Sequence, residues 1–137
     1  MVRDQRRRSL GEALDDLDRY AAIYDLDRLE GDRDARRQVL HALYIAIQAC
    51  VDEAAEICRE AGIDCGSTYR EIFTALGGAG LLDPVLAGRM ASWASMRNVL
   101  AHFYPVIDMR RVHEALADRG QLRQFESWLV ERDGTGT

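Results

Sequence analysis

The chain has 137 residues, of which 47% are hydrophobic and 30% charged, and its formal net charge is −5 at pH 7. This length and composition suit one globular domain with its own core and exclude an intrinsically disordered chain. The net negative charge gives no global attraction for nucleic acid, so RNA would have to be bound by arginines gathered locally.

Membrane and export signals are missing from the sequence. No apolar run approaches the ~20 residues of a membrane span, and the charged N-terminus is not followed by the apolar segment of a signal peptide. The cysteines, Cys50, Cys58 and Cys65, are odd in number and lack the spacing of a metal site. We therefore expect reduced thiols and a cytoplasmic protein without a membrane partner.

Apolar residues recur at intervals of three and four, which is the periodicity of helices. The first such stripe predicts a helix over about residues 4–29. A turn follows, after which Asp32 or Asp34 caps a second helix that ends near Gly62. Because the second helix is apolar over a wide arc, we expect it to lie at the centre of the fold.

A short third helix is predicted next. The Ser67-Thr68 pair offers its cap, and the helix is expected to end at about Leu76. The run Gly77–Gly80 then breaks it. Since this run follows a helix and lacks the Gly-Lys-Ser/Thr ending of a phosphate-binding loop, it predicts a flexible connector.

Two more long helices complete the chain. The Asp83-Pro84 pair starts a fourth helix that runs to about residue 103, and Asp108 caps a fifth that continues through Leu129 with a bend at Gly120. The predicted fold is therefore an all-α antiparallel bundle of four long helices and one short helix. We expect a single domain over residues 1–137, with frayed ends at about 1–4 and 132–137.

The fourth helix carries an arginine within its apolar stripe. The stripe consists of Leu86, Met90, Trp93, Arg97, Leu100 and Tyr104. A buried guanidinium needs a partner, so Arg97 pairs with an acid, extends over the core to water, or faces an interface or cleft. The adjacent face holds Asn98 and His102, whose i, i+4 spacing lets their side chains touch. Pro105 disfavours helical geometry in the last turn, which would let Arg97 and His102 converge.

These residue types suit cleavage of a phosphodiester. Histidine titrates near neutral pH and serves as general base or acid, while an arginine fork matches phosphate oxygens. No carboxylate stands beside Arg97 and His102, and no HxxxH pair occurs. The pattern favours metal-independent cleavage of RNA by its own 2′-hydroxyl, with no metal and no cofactor. Each residue also has a structural interpretation, His102 as a helix cap and Tyr104 as a half-buried anchor.

Other charged groups have two interpretations. Asp52, Glu53 and Glu56 on the second helix either pair with arginines or orient Arg97 or His102. The arginine groups are either solvated faces neutralised by acids or RNA contacts, and they comprise Arg6–Arg8, Arg33 with Arg36 and Arg37, and Arg97 with Arg110 and Arg111. We expect His113 at the surface and His41 in the packing of the second helix.

Residues 97–104, RNVLAHFY, match the R-x4-H-x-Y motif of HepT-type toxins, which belong to the HEPN superfamily of small helical ribonucleases. Asn98 matches the polar residue that commonly follows the arginine. The likeness covers roughly residues 10–130, including ALYIAIQACVDEAAEI in the second helix. The chain thus resembles this family over most of its length.

The resemblance implies a function and two protein partners. It implies a homodimer with the two motifs facing one another across a cleft, and a toxin in a type VII-like toxin–antitoxin pair that cleaves RNA. Arg97 and His102 would be catalytic, and Asn98 and Tyr104 would bind or orient the substrate. The antitoxin would be an MntA-type nucleotidyltransferase that inactivates the toxin by transferring AMP to Tyr104.

A competing hypothesis comes from a different class of protein. The chain would then be a non-catalytic helical subunit of a minimal nucleotidyltransferase, with Arg97 and His102 holding a nucleotide phosphate. A third interpretation is a dimeric scaffold in which the motif has no chemical role.

Overall fold

The computed structural model describes residues 2–102 and 107–135, except for the side chains of His102 and Thr135. Over these residues the regular structure is helical. The helices are α1 Val2–Ile23, α2 Leu26–Gly31, α3 Arg33–Ala61, α4 Tyr69–Gly78, α5 Pro84–His102, α6 Met109–Ala117 and α7 Gly120–Thr135. The predicted all-α class is confirmed. None of the described helices combines the length and the hydrophobicity that crossing a membrane requires.

Two of the predicted long helices are each divided in two, which corrects the expected helix count. The predicted helix over 4–29 ends at Ile23, because Asp25 adopts an extended backbone and its side chain accepts a hydrogen bond from the Arg28 amide at 2.8 Å. This new N-cap starts α2 as a separate helix. The predicted bend at Gly120 is a full break, with α6 ending at Ala117 and α7 starting at Gly120.

Helix α3 lies at the centre, as predicted. It contacts α1, α2, α4, α5 and α7. Asp32 is its N-cap, with a side chain that accepts from the amides of Asp34 and Ala35 at 2.9 and 3.2 Å. Gly62 ends it in the left-handed conformation, at φ 70°, where glycine carries no steric penalty. The apolar residues that recur at intervals of three and four along it are all buried, and they comprise Val39, Leu43, Ile47, Cys50, Ala54 and Ile57.

Helices α4 and α5 pack closely along a seam. A Cβ atom added to Gly77 would lie 2.8 Å from the Cβ of Ala87, so glycine is what permits this approach. Gly77 and Gly78 are the last two residues of α4, which therefore runs beyond the predicted end at Leu76. A Cβ atom on Gly78 would meet nothing within 4 Å.

The N-terminal arginines pair with the acids of α3, which confirms the structural interpretation for Glu53 and Glu56. Glu53 is only 1% exposed and lies 3.1 Å from Arg6 and 3.2 Å from Arg7. Glu56 binds Arg3 and Arg6. Burial would raise the pKa of Glu56, but hydrogen bonds from Arg3 and Arg6 outweigh it and lower the pKa.

Two cysteines lie in the core, and the histidines at 41 and 113 are both exposed. Burial raises the pKa of the Cys50 thiol and raises that of Cys58 to about 11. The surface position expected for His113 is confirmed. The prediction that His41 joins the packing of α3 is wrong, because its position on the helix faces away from the core.

Candidate functional site

Arg97 is half-buried and held by neutral groups from α3 and α4. Its Nε donates to Oε1 of Gln48 at 2.7 Å, and its Nη2 lies 3.4 Å from the hydroxyl of Tyr44. The guanidinium carbon lies 5.5 Å from the ring centroid of Tyr44 and 4.9 Å from that of Tyr69. Both distances suit cation–π attraction. The described side chains thus fix Arg97 by one strong hydrogen bond and two aromatic faces.

No ion pair neutralises Arg97 within residues 2–101 and 107–134. The acid partner that the sequence left open is replaced by Gln48, which is itself held by Asp52. The Nε2 of Gln48 donates to Oδ1 of Asp52 at 2.9 Å. A carboxylate can only accept, so the amide must turn its NH2 group to Asp52 and its oxygen to Arg97. Asp52 therefore orients Arg97 through Gln48. Of the two interpretations of this acid, pairing with an arginine or orienting Arg97 or His102, the contacts favour the second.

The first turn of α4 is built by a capping box that sets the position of Tyr69. The hydroxyl of Thr68 accepts from the amide of Glu71 at 3.2 Å, and the carboxylate of Glu71 accepts from the amide of Ser67 at 2.6 Å. These bonds confirm the predicted cap. They place Tyr69 under Arg97 and direct the next residue, Arg70, toward α5.

Arg70 joins α4 to the polar face of α5. Its Nη1 donates to the hydroxyl of Ser95 at 3.1 Å and to the carbonyl oxygen of Ala91 at 3.3 Å. Ser95 lies three residues before Asn98 on the same face of the helix. The side chain of Arg70 remains exposed to solvent.

The structure brings two of the predicted site residues together. Asn98 is exposed, and its Oδ1 lies 3.4 Å from Nη1 of Arg97. His102 is the last residue of α5, and its side chain lies outside the described part of the chain. Tyr104 and Pro105 also lie outside the described residues, so the convergence expected from Pro105 stays a prediction.

A groove of about 500 Å³ opens on another flank of α5, between this helix and α6. Its lining includes Trp93, Met96 and Val99 of α5 with Arg111 of α6, and Arg97 and Asn98 do not contribute to it. Within the described residues there is no group of three or more His, Cys, Asp or Glu side chains arranged to hold a metal ion.

Three residues that contact Arg97 carry no role in the sequence-based prediction, and they are Tyr44, Gln48 and Tyr69. A signal exists for two of them, because Tyr44, Gln48 and Asp52 repeat at i, i+4 and i+8 and form one polar row on an otherwise apolar helix. Tyr69 carries no such signal, since only the packing of α4 on α5 places it beside Arg97.

The model of the family described as "Ribonuclease HepT-like" matches residues 10–129. The chain belongs to the HepT-like ribonuclease family. The resemblance found in the motif is thereby confirmed, and the match extends well beyond it. Comparison with curated proteins finds no match.

Solved structures share the fold of this HepT-like chain. The HEPN toxin of Shewanella oneidensis, solved tri-AMPylated and in complex with MNT antitoxin, has a TM-score of 0.83 at 18% identity, covering 95% of this chain and 97% of that one. A mutant MntA–HpeT toxin–antitoxin structure gives 0.84 at 17% identity, with coverages of 96% and 99%. YutE of Bacillus subtilis, a cytosolic protein of unknown function, gives 0.81 at 13%, with coverages of 98% and 92%. These likenesses confirm a HEPN-like fold.

Proposed function

We propose that this HepT-like chain is the toxin of a type VII-like toxin–antitoxin pair and a metal-independent endoribonuclease. The family match supports the reaction class. The observation that carries the proposal is the state of Arg97, a half-buried guanidinium that is fixed by Gln48 yet balanced by no carboxylate of the described chain.

The hydrogen bonds of Arg97 differ in strength, and this decides what it can bind. The Nε bond to Gln48 is short, at 2.7 Å, whereas the bonds from the two Nη groups to Tyr44 and Asn98 are both 3.4 Å long. Charge-assisted bonds to phosphate oxygens are shorter, at about 2.7–2.9 Å, and stronger than bonds to neutral oxygens. A phosphate would therefore displace the Nη contacts while Gln48 keeps the guanidinium in place.

The proposed reaction uses a nucleophile that RNA itself supplies. The 2′-oxygen forms a bond to phosphorus, the bond from phosphorus to the 5′-oxygen breaks, and the products carry a 2′,3′-cyclic phosphate and a 5′-hydroxyl. His102 takes part in the proton transfer from the 2′-hydroxyl to the leaving oxygen, and Arg97 stabilises the charge on the phosphate. Asn98 orients His102 or the RNA, and Tyr104 shapes substrate binding.

A homodimer would place two such sites across one cleft and double the density of arginine over the RNA phosphates. The proposed control is AMP transfer to Tyr104 by an MntA-type nucleotidyltransferase. The tri-AMPylated Shewanella oneidensis HEPN toxin in its complex with MNT antitoxin supports this control. Each AMP adds a negative charge near the motif, which would compete with RNA for Arg97.

The test is an RNA cleavage assay with the purified chain in excess chelator. We expect cleavage with cyclic-phosphate ends, its loss in His102→Ala, and unchanged cleavage in His113→Ala, which removes an exposed histidine of α6. Size-exclusion chromatography checks that the His102 variant keeps the oligomeric state of the wild type. Cleavage by His102→Ala at the wild-type rate would disprove the assignment. No cleavage by the wild type, together with tight binding of the nucleotidyltransferase, would instead support the non-catalytic subunit.

A further inference from the structure

Arg70 is an exposed arginine whose hydrogen-bond partners in the described chain are neutral. It lies in the first turn of α4 and reaches across the seam to Ser95 Oγ at 3.1 Å and the Ala91 carbonyl at 3.3 Å. Both acceptors are neutral. Two hydrogen bonds thus fix the direction of the side chain without compensating its charge, and part of its fork still faces solvent.

Seven other arginines of the described residues are paired with acids, whereas Arg36 donates to the backbone carbonyl oxygens of Leu29 and Glu30. Those in ion pairs are Arg3, Arg6, Arg7, Arg19, Arg28, Arg119 and Arg123. Arg70 and Arg97 have no carboxylate within ion-pair distance among residues 2–101 and 107–134. Arg70 binds neutral oxygens of α5, and Arg97 binds neutral oxygens of α3 and α5. In a chain of net charge −5, Arg70 and Arg97 are thus two cations near the α4–α5 seam that no ion pair among the described residues neutralises.

A row of polar groups on α5 lies between the two arginines. Arg70 binds Ser95, Ser95 lies one helical turn before Asn98, and Asn98 accepts from Arg97. The row runs along the face of α5 that ends at His102. Ser95 and Asn98 are three residues apart, which is a rise of about 4.5 Å along the helix axis. A nucleic-acid strand presents successive phosphates that can engage both ends of this row.

We propose that Arg70 is a second phosphate-binding residue, which takes the RNA backbone phosphate next to the one held by Arg97. This inference rests on the proposed function, because it takes Arg97 as the residue at the scissile phosphate. Arg70 makes no contact with the reacting atoms. It sets the register of the strand, and the capping box of α4 holds it ready for that contact.

The test is binding of a fluorescent single-stranded RNA whose 2′-hydroxyls are methylated, so that binding is measured without cleavage. Anisotropy titrations in chelator are run from about 50 to 300 mM salt with wild type and Arg70→Gln. The matched control is Arg28→Gln, which removes an exposed arginine paired with Asp32 at the junction of α2 and α3. Arg70→Gln should bind about tenfold more weakly at low salt, since a charged hydrogen bond is lost. Its plot of log K against log salt should be flatter by about 0.7, the contribution of one phosphate contact to a single strand.

The outcomes separate this inference from the proposed function. Equal affinity in Arg70→Gln and wild type, or weaker binding with an unchanged salt slope, overturns it even if the wild type cleaves RNA. A wild type that binds no oligonucleotide overturns it too. The inference stands if Arg70 governs binding but no cleavage occurs, in which case only the proposed nuclease activity fails. Competition by AMP as strong as that of the oligonucleotide, and dependent on Arg70, would overturn the assignment to a strand.

Ser95→Ala gives a second measurement that leaves all charges in place. It removes the hydroxyl that holds Arg70 but keeps the guanidinium. We expect a smaller loss of affinity than in Arg70→Gln and a salt slope equal to that of the wild type. A flatter slope in Ser95→Ala would contradict the role assigned to Arg70.

Discussion

Replacing Gln48 by methionine tests whether the position of Arg97 controls cleavage. Methionine has nearly the same length as glutamine but cannot accept the 2.7 Å hydrogen bond from Nε of Arg97. A hydrogen bond to a charged group is worth about 1.5–3 kcal/mol. If this energy holds the guanidinium in the geometry of the transition state, its loss lowers kcat/KM for RNA by about 10- to 100-fold, because 1.36 kcal/mol corresponds to a factor of ten.

The assay is cleavage of a short fluorescent RNA in excess chelator, with thermal unfolding measured in parallel. The matched control is Gln38→Met on the same helix, since Gln38 accepts from the hydroxyl of Tyr24 away from Arg97. Gln48→Glu adds a further arm, because a carboxylate still accepts from Nε but neutralises the guanidinium. We expect kcat/KM to fall in Gln48→Met and Gln48→Glu but not in Gln38→Met. Wild-type kcat/KM in Gln48→Met, or an equal fall in Gln38→Met, would refute the positioning role.

Three further predictions concern stability and reactivity. Gly77→Ala should lower the free energy of unfolding by about 1–3 kcal/mol, because its Cβ would lie 2.8 Å from the Cβ of Ala87. Gly78→Ala should raise the melting temperature, because its Cβ meets no atom within 4 Å and alanine restricts the unfolded chain. Equal effects of the two variants would argue against close packing of α4 on α5. A hydrogen bond from Arg119 is the largest of the effects that lower the pKa of Asp18 in the folded chain. Ionised Asp18 therefore stabilises the fold fully above its usual pKa near 3.9, and this stabilisation is lost as the pH falls through the lower pKa of the folded state. The gap in melting temperature between wild type and Asp18→Asn should therefore close as the pH falls from about 5 to below 3, and a gap independent of pH would contradict this. At pH 8 a thiol reagent should label only Cys65 in the folded chain, because Cys50 and Cys58 are buried. After denaturation it should label all 3 cysteines. Fast labelling of a second thiol in the folded chain would contradict the burial of Cys50 and Cys58.

The features that the sequence predicted correctly depend on neighbouring residues. The caps at Asp32, Thr68 and Asp108 each satisfy backbone amides within three residues, so local chemistry decides them. The break at Asp25 was missed because the apolar periodicity of α1 continues past it into α2. Periodicity reports which residues are buried, and it does not report where the backbone leaves the helix between two buried positions.

The residues of the candidate site also differ in how far the sequence alone can indicate them. Arg97 could be proposed as a site residue because a charge within an apolar stripe is visible in one helix. Its partners Gln48 and Tyr69 come from two other helices, and their contact depends on how α3, α4 and α5 pack. Residues that meet only through packing leave no spacing pattern in a single sequence, although the polar row that contains Gln48 could have indicated the face of α3 that meets Arg97.

The residues that hold Arg97 also determine how the site could be silenced. Tyr44, Gln48 and Asp52 lie on successive turns of α3, which contacts five other helices. Amide protons of such a central helix exchange with solvent only when most of the molecule opens, so local fluctuations do not release its side chains. Local unfolding of the part of α3 that holds Arg97 would then require most of the free energy of unfolding. An inhibitor would therefore have to bind or modify the solvent-exposed side of Arg97 while the residues of α3 that hold Arg97 stay in place. Once the inhibitor or the modifying group is removed, the site would be restored without refolding.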